Sequence, residues 1–399
     1  MDVSPSEKSN WFEGHPRSII IGLILISFLV LDALFANGYK LIAGHPWGSG
    51  YLTIERSYRI RSPVYHHTLA SNASSDCARW GPMTYRIRTN SLGFKDKAVR
   101  DVPLVSDKHR IVFMGDSFTE GVGYEYERTF VGLTDSALSQ KGIEVLNAAV
   151  CGYSPIIYWR KTAHLIEDVG LHFDELVVFP DVSDAIDETR RFLNENGNVT
   201  EYSPKKLPTG DSQIGLTKDM EEGDRHILST GLSKKFKEWL RNNTIVSFSA
   251  FKLGHRLFNI ARGDKGYAIN EQAAYWTIDD RSDPPIGEEG LPKIETYVDR
   301  LFELTKTHNI KLTVVVFPNP DQVYYADSNS VWVSFWKNWC QRHDVPLLDC
   351  FPLLVRSQAI REREQTLDRY YLPSDFHFNE NGARLIANAF LDFYTASAN

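Results

Sequence analysis

The chain has 399 residues, 42% hydrophobic and 24% charged, with 26 Gly and 18 Pro, which fits a globular protein and excludes wholesale disorder, collagen-like repeats and a coiled coil. Asp and Glu number 51 against 44 Lys and Arg, a net charge of -7, so no basic field is available for a nucleic-acid partner. Four cysteines without a Cys-x-x-Cys pair exclude a disulfide-built scaffold and argue against structural zinc.

In chain order, a polar leader (residues 1–18) with Lys8 and Arg17 precedes an apolar run, IIIGLILISFLVL from Ile19 to Leu31, extending to Ala36 with one break at Asp32. Eighteen residues at 1.5 Å each make a helix of roughly 27 Å, close to the bilayer's hydrocarbon thickness. Residues 19–36 are therefore read as a transmembrane signal anchor. Cleavage after Ala36 would put bulky Leu34 at the third residue before the cut, a poor fit to a signal peptide. The location near the chain start and the lack of polar periodicity weigh against a buried core helix. Asp32 is expected near the headgroups. An anchor followed by a large domain usually sends that domain to the periplasmic or extracytoplasmic side.

Residues 37–105 are polar, aromatic and turn-rich, an extracytoplasmic linker and extension whose YRIRTNSLGFKD alternates like a strand before a turn at Asn90–Gly93. Within residues 106–399, short apolar runs predict strands at Arg110–Met114, Glu144–Ala148, Glu175–Phe179, Lys311–Phe317 and Pro346–Asp349. Between them, helices are predicted over Glu127–Gln140, Pro155–Val169, Ile294–Thr307 and Val331–Arg342. This alternation implies a three-layer αβα, doubly wound parallel sheet. An insertion at about 189–291 interrupts it and is read as a lid. There Leu232, Phe236, Trp239 and Leu240 share one helix face, expected to pack on the main domain.

The chemistry concentrates in RIVFMGDSFTEGVG, residues 110–123. A Gly-Asp-Ser turn after the first strand sets Ser117 at the sheet's carboxyl edge, where open α/β sheets bind ligands. A serine in a loop or capping a helix is the commoner fate of that residue type. A nucleophilic serine needs a base, and LPSDFHFNENGARL near the chain end offers His377 as proton acceptor with Asp375 to orient it. The bland alternative makes Asp375 and Asn379 helix caps and His377 a surface residue.

In order, GDSFTEG, VLNAAVCGYSP, DELVVFPDVSDAIDE and DFHFNENG resemble the four blocks of the SGNH (GDSL-type) serine hydrolase superfamily, and TNSLGFKD resembles a segment of its membrane-anchored bacterial members. The resemblance covers about residues 85–395 outside the insertion and implies a flavodoxin-like sheet. It also implies Ser117 as nucleophile and an oxyanion hole built from the amides of Ser117 and Gly152. The family's third-block asparagine is replaced by Ser183, whose shorter hydroxyl is a weaker donor. The final block reads Asp-x-His rather than Asp-x-x-His, with Asp349 and Asp368 as substitute carboxylates. Asp116 is assigned to local backbone bonding.

His66–His67 reads as a loop pair rather than a metal site, and Cys151 as a small buried residue. Cys340 and Cys350 are candidates for pairing or for buried free thiols. PNPDQVYY (318–325) is assigned to packing. Asn72, Asn198 and Asn242 head glycosylation sequons. Three functions follow. The first is a membrane-tethered esterase acting on an acylated carbohydrate or other small ester without cofactor or metal. The second is an O-acyltransferase of the same fold served by a membrane acyl-donor partner. The third is a non-catalytic envelope-binding or assembly protein.

Overall fold

The computed structural model describes residues 15–44, 47, 50–201, 234–261, 274–281, 284–373 and 375–397. Most of the leader, Leu232 and residue 374 lie outside the described residues. The chain divides into two compact units, one of Met1–Tyr51 with Asp224–Asp264 and one of Leu52–Gly223 with Lys265–Asn399.

The smaller unit is built on a 28-residue helix, Pro16–Ala43, which opens on a proline and closes on Gly44 in the left-handed conformation. Its mean hydropathy reaches 2.8 over an 18-residue window of which 11% is buried. That exposure overturns the core-helix alternative. The helix has the length and composition of a membrane-spanning or signal segment, and it runs beyond the expected 19–36 at both ends. Two insertion helices, Lys234–Asn243 and Val246–Ala261, belong to the same unit. The first buries Leu240 but leaves Phe236 and Trp239 exposed. It groups with the N-terminal helix within this unit.

After the helix Gly50–Tyr58 the larger unit carries two antiparallel hairpins, β1 (Arg59–Ser62) with β2 (His66–Leu69) and β3 (Ser74–Trp80) with β4 (Met83–Arg88). The stretch read as a linker is thus folded, and it buries Tyr58, Trp80, Tyr85 and Ile87. The central strands are β5 (Arg110–Gly115), β6 (Glu144–Asn147) and β7 (Glu175–Phe179); a small hairpin, β8 (Phe192–Glu195) with β9 (Asn198–Glu201), comes next, and β10 (Lys311–Val316) and β11 (Leu347–Asp349) complete the sheet. Its spatial order is β6-β5-β7-β10-β11, and every neighbouring pair is parallel.

The strands are continuously apolar because both faces are covered. Val112, Met114, Leu176, Val178 and Val314 point into a core with Ile294, Leu301 and Trp336. Ile111, Phe113, Val177, Phe179 and Val315 point the other way, onto Phe130, Leu138, Ile386 and Phe390. Strand boundaries fall within about one residue of those expected, whereas the helix expected to start at Ile294 begins at Ile286 with Pro292 inside it. Numbered within the sheet the order is 2-1-3-4-5. The order therefore reverses between β5 and β7, and the crevice for a ligand lies at their carboxyl ends.

Candidate active site

Strand β5 ends at Gly115, and a four-residue helix, Ser117–Glu120, begins at once. A Cβ on Gly115 would lie 2.3 Å from Thr119 Oγ1 and 3.0 Å from the Phe179 carbonyl oxygen, so only glycine fits under this turn. Asp116 caps the helix by accepting the Phe118 N–H at 2.9 Å, the local backbone role expected of it.

Ser117 is buried, and its Oγ lies 2.8 Å from His377 Nε2. The other ring nitrogen of His377, Nδ1, lies 2.6 Å from Asp375 Oδ1, which also accepts the His377 backbone N–H at 2.9 Å. With Nδ1 donating to the carboxylate, Nε2 is left to accept the Ser117 proton. Ser117 Oγ also lies 3.3 Å from Asp116 Oδ2, a longer alternative. The imidazole is wedged between aromatic rings, Phe118 at 4.8 Å and the edge of Trp80 at 5.0 Å between centroids.

Trp80, at the end of β3, was not singled out in the sequence. Its indole Nε1 donates to Asp375 Oδ2 at 2.8 Å, so each carboxylate oxygen of Asp375 has a donor. Burial would push the Asp375 carboxyl up, but the charge of His377, its ring and backbone hydrogen bonds and the Trp80 indole hold it below its usual range. Of the substitute carboxylates, Asp349 is engaged elsewhere, with the Phe351 N–H at 3.0 Å and Lys337 at 2.7 Å. Asp368 lies in the helix Ile360–Tyr370.

Gly152 follows β6 with φ 77, which favours glycine. The backbone N–H groups of Ser117 and Gly152 have no acceptor among the described residues. Two partners grip the residue beside Gly152. The Cys151 N–H donates to Glu120 Oε2 at 2.7 Å, and the Cys151 carbonyl accepts from His67 Nε2 at 2.8 Å. Glu120 is buried in a two-pronged ion pair with Arg59, at 2.8 and 2.5 Å. Burial opposes its charge, yet Arg59 holds its carboxyl below the usual range. His66–His67 is therefore not a loop pair. It lies buried in β2 with Nδ1 atoms 2.8 Å apart. Burial pulls His67 well below its usual range, and the neutral ring donates from Nε2 to Cys151.

Ser183 follows β7, but its hydroxyl donates to Asp181 Oδ1, which also accepts the Ser183 N–H at 2.8 Å. Its proton is engaged with that carboxylate rather than aimed at a ligand. Behind it Asp116, Asp181 and Asp184 are all buried. Burial pushes each carboxyl up, helped for Asp116 and Asp184 by the charge of Asp181. A cleft beside Ser117 and His377 is lined by Phe118, Val122, Tyr124 and Phe378, an apolar surround for a small group. No disulfide links Cys77, Cys151, Cys340 or Cys350. No cluster suited to a metal ion occurs among the described residues.

No family model matches the sequence, and no curated protein matches it. Among solved structures the chain is similar to the psychrotrophic esterase EstA from Pseudoalteromonas sp., at 11% identity over 73% of this chain and 100% of that one, with a TM-score of 0.36. It is similar to a member of the lipolytic protein G-D-S-L family from Veillonella parvula DSM 2008, at 12% identity over 72% and 99% of the two chains, with a TM-score of 0.36. It is also similar to TesA, at 9% identity over 71% and 97%, with a TM-score of 0.38.

Proposed function

We propose that the chain is a membrane-tethered serine esterase of the SGNH type with a flavodoxin-like sheet. Its substrates are short O-acyl esters, such as acetyl groups on a cell-envelope or exported polysaccharide, outside the cytoplasmic membrane. The observation that carries this reading is the line from Ser117 Oγ to His377 Nε2 at 2.8 Å and from His377 Nδ1 to Asp375 at 2.6 Å. Ser117 Oγ attacks the acyl carbonyl while His377 takes its proton, and Asp375 stabilises the resulting imidazolium. The N–H groups of Ser117 and Gly152 receive the oxyanion. Ser183 contributes only if its hydroxyl turns away from Asp181. His377 returns the proton to the leaving alcohol, and water, activated by the same ring, releases the acid.

The test is hydrolysis of p-nitrophenyl acetate and acetylated glycans by the full chain in detergent, together with fluorophosphonate labelling. Ser117→Ala is expected to abolish labelling and to lower kcat by about 10⁴-fold or more. Equal rates for wild type and variant would remove the serine mechanism. Adding a sugar acceptor and analysing products decides whether water or a sugar hydroxyl takes the acyl group, the point separating an esterase from an acyltransferase.

A further inference from the structure

The smaller unit contains a buried charge in an unusual place. Asp32 lies on the Pro16–Ala43 helix, four residues before Ala36, or about 6 Å inside the end of the apolar run. Its side chain is buried. Its carboxylate accepts the backbone N–H groups of Ile245 at 3.0 Å, Val246 at 3.1 Å and Ser247 at 2.7 Å. Asp32 thus caps the Val246–Ala261 helix from more than two hundred residues away in sequence. Three backbone donors and the positive end of a helix compensate a charge that lipid alone would not tolerate.

The capped helix is amphipathic. Val246, Ala250, Leu253 and Leu257 follow at i, i+4, i+7 and i+11, with Phe258 beside them. Val246 is 53% exposed, Leu253 59%, Leu257 57% and Phe258 52%. In water this would be an uncovered apolar stripe along most of a 16-residue helix. The preceding helix carries Lys234, Lys235, Lys237 and Arg241 against Glu238. On it the exposed rings of Phe236 and Trp239 stack at 6.2 Å. Aromatic and basic residues together are the composition of helices that lie at an anionic membrane surface. The helix to which Asp32 ties this segment exposes Leu25, Leu31 and Phe35 by 62–68%, so the stripe belongs to the same unit as an apolar surface sized for lipid.

We propose that residues 234–261 form a second membrane contact. The Val246–Phe258 stripe sits in the acyl-chain boundary of the bilayer, the basic helix rests on anionic headgroups, and Asp32 ties both to the anchor. The depth of Asp32 matches the roughly 5–10 Å at which an interfacial helix buries its apolar face. The proposal rests on the N-terminal helix being a retained anchor, and does not depend on the esterase chemistry.

The test uses the full chain in phosphatidylcholine–phosphatidylglycerol vesicles, in a Cys77→Ser background, with an environment-sensitive fluorophore on one introduced cysteine. Leu253→Cys and Leu257→Cys report the stripe, Leu25→Cys the anchor, and Ile360→Cys the exposed surface of the larger unit. Doxyl-labelled lipid is expected to quench the probes at 253 and 257 several-fold more than the probe at 360, approaching the quenching at 25. Quenching at 25 without quenching at 253 and 257 overturns the proposal and leaves the anchor standing. No quenching at 25 overturns the anchor and the proposal with it. Protection of 257 from both aqueous iodide and doxyl lipid means that protein covers the stripe, which also overturns it. Asp32→Ala is expected to lower quenching at 257, leaving it above the level at 360, while 25 is unchanged; unchanged quenching at 257 overturns the role given to Asp32.

Discussion

A single indole completes the hydrogen bonding of the acid end of the proposed triad. Trp80 holds Asp375 Oδ2 at 2.8 Å and is one of the contacts that keep this carboxyl below its usual range. Trp80→Phe preserves the ring against His377 but removes the donor. A hydrogen bond to a charged group is worth about 1.5–3 kcal/mol, so kcat is expected to fall about 10- to 100-fold with KM little changed. Without that donor the Asp375 carboxyl rises, and the acid limb of the pH–rate profile moves to higher pH. A profile that merely scales down would make Trp80 a packing residue. Glu188 offers a separate test, on stability. It accepts the Ser154 hydroxyl and the Ile156 N–H, both at 2.8 Å, and burial pushes its carboxyl up from 4.5 to about 8. Below its unfolded value both states hold the proton and this stabilising contribution is complete; it is lost as pH rises through about 8. Glu188→Gln keeps an acceptor for both bonds and removes the titration. Thermal unfolding at pH 5 and pH 8 is expected to show the variant gaining on wild type at the higher pH, by a few kcal/mol at most.

The element that sequence reasoning missed is the pair of N-terminal hairpins. Alternation marked a strand before Asn90, but nothing in a lone tryptophan or in Arg59 announces a contact made 295 or 61 residues away. The central strands were legible because burial on both faces forces unbroken apolar runs. Ser117 was legible as a candidate from the turn after the first central strand, and Asp375 and His377 from the loop before the last amphipathic helix. The Ser183 position was read from block order alone, and the neighbouring Asp181 competes for its hydroxyl. The hairpins reach the site through Arg59 and His67, which brace Glu120 and Cys151. Arg59→Met leaves Glu120 buried without its partner, a loss of about 3–5 kcal/mol. Arg59 also pairs with the buried Glu55 at 2.9 Å, so adding Glu120→Leu together with Glu55→Gln is expected to recover stability in denaturant titrations. Activity is expected to stay low, because the Cys151 N–H beside Gly152 then has no acceptor. Recovery of both together would show that the Glu120 link does not position the proposed oxyanion turn.

For the whole molecule, solubility follows from where apolar surface is left uncovered. The larger unit buries both faces of its sheet, whereas the smaller one exposes Ile24, Leu31 and Phe35 on one helix and Leu253 and Leu257 on another. Deleting residues 1–44 removes the first surface, but it also removes Asp32 and leaves the Val246–Ala261 helix uncapped with its stripe intact. Such a chain is expected to sediment with phosphatidylglycerol-containing vesicles, or to self-associate without them. Further deletion of 234–261 is expected to give a monodisperse protein that floats free of vesicles and still labels with fluorophosphonate. Removing a signal segment alone ought to be enough if the insertion has no affinity for lipid. A soluble, monomeric chain after the first deletion would therefore show that the N-terminal helix carries the whole membrane association.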